Sequence, residues 1–78
     1  MPTILRIGPY RLFFYSAEGQ EPIHVHVERD RNIAKFWIRP TRLANSGGFR
    51  PSEISDIFKI VEENTILIER SWNEHFAG

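Results

Sequence analysis

His24 and His26 stand two residues apart in the run His24-Val25-His26-Val27-Glu28-Arg29. On a strand, both imidazoles point to the same side. Histidine is the commonest metal ligand and titrates near neutral pH. The pair could therefore chelate a metal, or act as acid and base in cleaving RNA. Arg11, Lys35 or Arg39 could steady a phosphate for the second chemistry. A zinc site needs three or four ligands. Glu28 continues the same face two residues on, and His75 falls at the end of a predicted helix, too far along to be a neighbour. The spacing supplies no clear third ligand, so no metal and no cofactor is assigned. The alternative is that the imidazoles stack on Trp37 or Tyr15 and hydrogen-bond to nearby groups. Gly47-Gly48 lacks the spacing and the following Lys of a phosphate loop, and no Ser or Thr sits in a nucleophile's context. Whether the chain is an enzyme stays open on these residues.

The elements that must carry these residues can be read from periodicity. Ile4 to Ile7 predicts a short strand, closed by Gly8-Pro9, and Tyr10 to Tyr15 a second strand in hairpin with it. Ser16 to Pro22 is polar and punctuated by Gly19 and Pro22, which predicts a loop. His24 to Arg29 alternates as a third strand, Asp30-Arg31-Asn32 turns, and Ile33 to Arg39 returns as a fourth that Pro40 ends. Thr41 to Ala44 is expected to form a short helical turn, and Asn45 to Gly48 a breaker. Pro51 suits a first helical position, and Ile54, Ile57, Phe58, Val61, Thr65, Ile68, Trp72 and Phe76 then recur on one helical face. The expected fold is α+β. A small antiparallel sheet of about four strands is packed on one face by one long C-terminal helix. It forms one domain, with the sheet over 3–39, a loop over 40–50 and the helix over 51–76.

Alternation divides the sheet into two faces. Leu5, Ile7, Leu12, Phe14, Val25, Val27, Ala34, Phe36 and Ile38 form an apolar face to meet the helix. The other carries Arg6, Arg11, Phe13, Tyr15, His24, His26, Glu28, Lys35, Trp37 and Arg39, with cations interleaved among rings. Such a face suits a protein interface, where Trp, Tyr and Arg concentrate. It also suits nucleic acid, whose bases stack on rings and whose phosphates meet cations. A third reading is structural, with cross-strand aromatic pairs stabilising the sheet. Ile60 and Leu67 lie off the main helical stripe, as does Ile66, and suggest a dimer or partner contact. A protein partner or second copy is the expected partner, with nucleic acid as the alternative and no membrane.

The 78 residues contain no cysteine, which excludes disulfides and thiolate zinc sites. The longest apolar runs are a few residues, and the N-terminal residues show no signal-peptide pattern, so a cytoplasmic location is expected. Net charge is zero but uneven, with eight bases against four acids over residues 1–50 and two against six over 51–78. The two layers could neutralise each other, or each could face a charged partner.

Several segments taken together carry a resemblance. They are Met1 to Arg6, Gly8-Pro9-Tyr10-Arg11-Leu12-Phe13-Phe14-Tyr15-Ser16, Glu21-Pro22-Ile23-His24-Val25-His26-Val27, Ala34-Lys35-Phe36-Trp37, Gly48-Phe49, and Trp72-Asn73-Glu74 with Phe76. With them the chain resembles the bacterial domain-of-unknown-function family 4160 over nearly its whole length. That family's Glu-Pro-x-His-x-His hallmark corresponds to Glu21, Pro22, His24 and His26. Ile23 stands where the family commonly has a second proline, and Arg50 where it has a capping-type residue. The resemblance implies a small bacterial protein, often encoded beside another in an arrangement similar to toxin–antitoxin modules. It carries over no catalytic residue. A non-enzymatic interaction module of a two-protein system is the leading expectation, and an RNA-binding or RNA-cleaving toxin using His24 and His26 is the alternative.

Overall fold

A computed structural model describes residues 3–76. Of the Met1 to Arg6 segment that carries part of the resemblance, Met1 and Pro2 lie outside the described residues. Five strands form one antiparallel sheet in sequence order: β1 (Thr3–Ile7), β2 (Tyr10–Phe13), β3 (His24–Arg29), β4 (Asn32–Trp37) and β5 (Arg42–Asn45). Two helices follow, α1 (Pro51–Glu63) and α2 (Thr65–Phe76). Gly8 at φ 54° turns β1 into β2, and Asp30 at φ 56° turns β3 into β4. Aspartate is among the few side chains that tolerate this left-handed region.

The expected α+β architecture is present, with four local differences, the first being that β4 stops at Trp37 rather than Arg39, which lies in the following turn at φ 61°. β2 stops at Phe13 rather than Tyr15, because the chain turns there and the Glu18 N–H donates to the Tyr15 carbonyl at 3.3 Å. Thr41 to Ala44 is not a helical turn. Leu43 and Asn45 instead pair with Phe36 and Lys35 as a fifth, edge strand. The free side of β4 supplies a ladder that the isolated segment lacks. The long helix is two helices. The Asn64 amide group donates to the Ile60 carbonyl at 2.8 Å, and the Thr65 hydroxyl donates to the Glu62 carbonyl at 2.9 Å. Side chains that capture helical carbonyls in this way end a helix locally. Asn64 then opens α2 by accepting the Ile68 N–H at 2.9 Å.

Both helices keep the predicted stripe turned inward. Ile57, Val61, Ile68 and Trp72 are buried against Leu12, Phe14, Val25, Val27, Ala34, Phe36, Ile38 and Phe49. Each buried Val, Leu, Ile or Phe among them contributes about 1.5–3 kcal/mol by leaving water. Ile54, Phe58, Ile60 and Phe76 are partly buried at the rim of the same core. Arg50 precedes α1 as its N-cap residue, its side chain makes no capping bond, and Pro51 supplies the helical φ of the first turn.

Charge is neutralised across and within layers. Arg29 on β3 pairs with Glu53 on α1, and Arg39 pairs with Glu69 on α2. Within the sheet layer Arg11 pairs with Glu28, and Lys35 with Glu21. Glu53 also accepts a 2.7 Å hydrogen bond from the Tyr10 hydroxyl. The Arg29 bonds first, and the Tyr10 bond second, hold the Glu53 carboxyl below its ordinary 4.5. A depressed folded value gives stability that is present above pH 4.5 and lost as pH falls through the folded value. Glu53→Gln should therefore melt below the unmodified protein at pH 7, and the gap should close as pH falls below about 4. Thermal melting across that range checks this, and a gap independent of pH would refute it.

Candidate functional site

The Tyr15–Ile23 connection folds back over the sheet face opposite the helices. It is shaped by its own backbone: Glu18 N–H to Tyr15 O, Glu21 N–H to Glu18 O, and at its end Ile38 N–H to Ile23 O at 3.1 Å. Glu18 is drawn inward, and its Oε1 accepts the Tyr15 N–H at 3.2 Å. β3 contributes His24, fully buried, and His26, 7% exposed.

Glu18 faces both rings. His26 Nε2 lies 2.9 and 3.1 Å from the two carboxylate oxygens. His24 Nε2 lies 2.9 Å from Oε1 but off the line of a hydrogen bond, and is a buried nitrogen without a hydrogen-bond partner. The other nitrogen of His24, Nδ1, sits 2.9 Å from the Pro22 carbonyl, which can only accept. Nδ1 therefore carries a proton, and in the neutral ring Nε2 presents a lone pair toward Glu18. Trp37, Trp72 and His26 surround the His24 ring at centroid distances of 5.6, 5.1 and 5.2 Å. Trp72 belongs to α2, so the second helix closes this end of the sheet.

Burial pushes the His26 imidazole below its ordinary value, against the upward pull of Glu18. Burial alone would raise the Glu18 carboxyl. The His26 imidazole and the Tyr15 N–H are among the contacts that outweigh that and hold it low. Neutral His26 thus donates Nε2–H to an ionised Glu18.

The strand register places Arg11, Phe13, His24, His26, Lys35 and Trp37 on one face, as alternation predicts. That face is not an open platform. Phe13 is fully buried, with His26 stacked on it at 5.4 Å and Tyr15 edge-on at 5.2 Å. Arg11 lies 4.1 Å over the Phe13 ring while bonded to Glu28 at 2.8 Å. Lys35 lies 4.5 Å over Trp37 while bonded to Glu21 at 2.8 Å. The Tyr15–Ile23 connection supplies Glu18 and Glu21, and a period-two reading of the strands does not see it. Tyr15 keeps the predicted contact with His26, at 4.6 Å between centroids. Arg39 stands apart in the β4–β5 turn, joined to Glu69. Glu28, considered as a third ligand, is taken up by Arg11, and His75 is exposed against Phe76. Glu18 was not singled out in the sequence. It is eight residues from His26 in a polar loop, and only its neighbour Gly19, which lies flush against the Phe76 ring, marks the packing there.

Residues 10–73 match the family described as Domain of unknown function (DUF4160). The chain belongs to that family. No curated protein and no solved structure matches it. The DUF4160 match spans Glu18, His24 and His26, and extends through most of α2.

The outer side of α2 is the second notable region of this DUF4160 chain. Ile66 is 67% exposed and Leu67 39% exposed. Leu43 on β5 is also exposed, whereas Ile60, expected beside Leu67, is half-buried against the core. Ile66 lines two shallow grooves. One is about 440 Å³, bordered by Arg39, Pro40, Thr41, Glu62 and Thr65. The other is about 330 Å³, bordered by Glu69, Arg70, Asn73 and Glu74. Among the described residues no helix is long and apolar enough to cross a membrane.

Proposed function

We propose that the protein is a non-enzymatic protein-interaction module, one half of a two-protein, toxin–antitoxin-like bacterial pair, and that it engages its partner through the outer surface of α2. The observation that carries this reading is Ile66. It is a large aliphatic left 67% exposed on the shared rim of two grooves. An exposed aliphatic beside concave surface is the usual form of a docking patch. Glu62, Glu69 and Glu74 border it together with Arg39 and Arg70, and Glu69 is held by Arg39, so the partner surface of matching chemistry is apolar with a rim of mixed charge. The RNA reading has less support, because it needs open rings for stacking, and Phe13 and His24 have none of their surface exposed.

Ile66→Glu and Leu67→Glu test the proposal. Both side chains are exposed, so each variant should keep the melting temperature of the parent. Complex formation with the co-encoded partner should weaken about thirtyfold or more for Ile66→Glu, the scale of a hot-spot residue. Calorimetric titration measures it. Affinity within twofold of the parent for both variants would remove α2 as the docking surface.

A further inference from the structure

We propose that Glu18, His24 and His26 form a binding site for a divalent transition-metal ion of the zinc class. One donor atom from each lies within 4.8 Å of the others. The proposal is independent of the partner reading.

The wiring of His24 is the observation that points to a cation. Its Nδ1–H is committed to the Pro22 carbonyl, which in the neutral ring leaves the buried Nε2 as a lone pair facing Glu18 Oε1 at 2.9 Å. Two electron-rich atoms held that close without a proton between them repel. A buried nitrogen with no partner is also costly, and native structures rarely leave one so. A cation between them removes both penalties. A ring whose far nitrogen donates to a backbone carbonyl is how metal-ligating histidines are held, since that bond fixes the tautomer and turns the other nitrogen to the metal.

The donor set selects the ion. Two imidazoles and one carboxylate suit zinc and its neighbours in the transition series, while magnesium and calcium take mainly oxygen. Two histidines and a glutamate are also a three-ligand set found in zinc sites that keep a fourth position for water. Tetrahedral ligands about 2.0–2.1 Å from zinc lie roughly 3.3 Å apart. The two Glu18–histidine separations are 2.9 Å each, so the carboxylate must withdraw by a few tenths of an ångström, and the widest separation of the set, within 4.8 Å, must close toward about 3.3 Å. Glu18 is carried by a connection whose residues Ser16, Ala17, Gly19 and Gln20 are exposed, and that segment can give. His26 presents Nε2 to the ion by shifting its proton to Nδ1. The Glu18 side chain is 16% exposed, which opens the site on the loop side. Lys35, the cross-strand neighbour of His26, has its charge paired by Glu21.

The test titrates chelator-treated protein with zinc chloride by calorimetry, and with cobalt(II) by visible absorption. The expected result is one ion per chain, with the intense cobalt bands of tetrahedral coordination, undiminished by excess magnesium. Glu18→Gln should weaken zinc binding at least tenfold, and His24→Ala should do the same, whereas His75→Ala should leave it unchanged. His24 is a core residue, so its variant could fail to fold. Glu18→Gln lies on the loop and, with its fold checked by circular dichroism, decides the matter alone. Absence of zinc binding in the folded parent would overturn the proposal, and so would binding that Glu18→Gln leaves intact. Binding lost with His75→Ala would place the ion elsewhere. If NMR showed the His24 ring doubly protonated in protein that takes up no zinc, a proton and not a metal would fill the contact.

Discussion

Gly47→Ala should destabilise the fold by about 3 kcal/mol or more, combining left-handed strain with a steric overlap that cannot relax cheaply. Gly47 has φ 61°, and a Cβ built there would fall 1.8 Å from the Ile33 carbonyl oxygen and 2.9 Å from the Ala34 nitrogen. These are backbone atoms of β4, so no rotamer change removes the overlap. The turn must hold because Asn45 Oδ1 accepts the Gly47 N–H at 2.8 Å, and the chain then delivers buried Phe49 to the core and Pro51 to α1. A domain of this size loses roughly 4–8 °C of melting temperature per kcal/mol, so a fall of more than about 12 °C is expected. Gly8→Ala is the control. It has a similar φ of 54° but open space around the added methyl, and should cost only the strain. Equal melting temperatures for the two variants would show that the β5–α1 turn is not clamped on β4.

Trp72→Ala is the second large effect, at about 3–5 kcal/mol for removing a buried tryptophan. Its ring meets Phe14 at 5.1 Å, Phe76 at 4.3 Å and His24 at 5.1 Å. It is therefore the contact through which α2 closes the histidine end of the sheet. The variant should unfold at much lower urea, read by the fluorescence of the remaining Trp37, and Trp72→Phe should recover a good part of the loss. The His24 ring resonances should move in both variants. Unmoved His24 signals in folded Trp72→Phe would mean that the helix does not position that ring.

Much of this fold is written in local patterns. The alternation through Val25 and Val27 and through Ala34 and Phe36 states which face meets the helices, and the recurrence of Ile57, Val61, Ile68 and Trp72 states which side of the helices answers it. The break at Asn64-Thr65 is not part of the sequence reading, which runs one helix through it, although both residues bond to backbone in preference to continuing a helix. The apolar periodicity running through it masks the signal. β5 was not legible. Arg42 to Asn45 has no alternation of its own, and becomes a strand only because β4 offers an unpaired edge.

By itself the sequence determined the α+β architecture, the start of α1 at Pro51, the family, and the common face of His24 and His26. The architecture, the helix start and the shared face follow from residue type and spacing along one strand or helix, where geometry repeats every two or 3.6 residues, whereas the family is carried by the resemblance of whole segments. Tertiary structure alone decided that this face is covered, that Arg11 and Lys35 are held by Glu28 and Glu21, and that Glu18 stands against both imidazoles. A loop has no period, so where its carboxylates land depends on how its two ends are anchored and on what it packs against. Here the anchors are the turn at Tyr15 and the Ile23–Ile38 bond, and the Phe76 ring packs against Gly19.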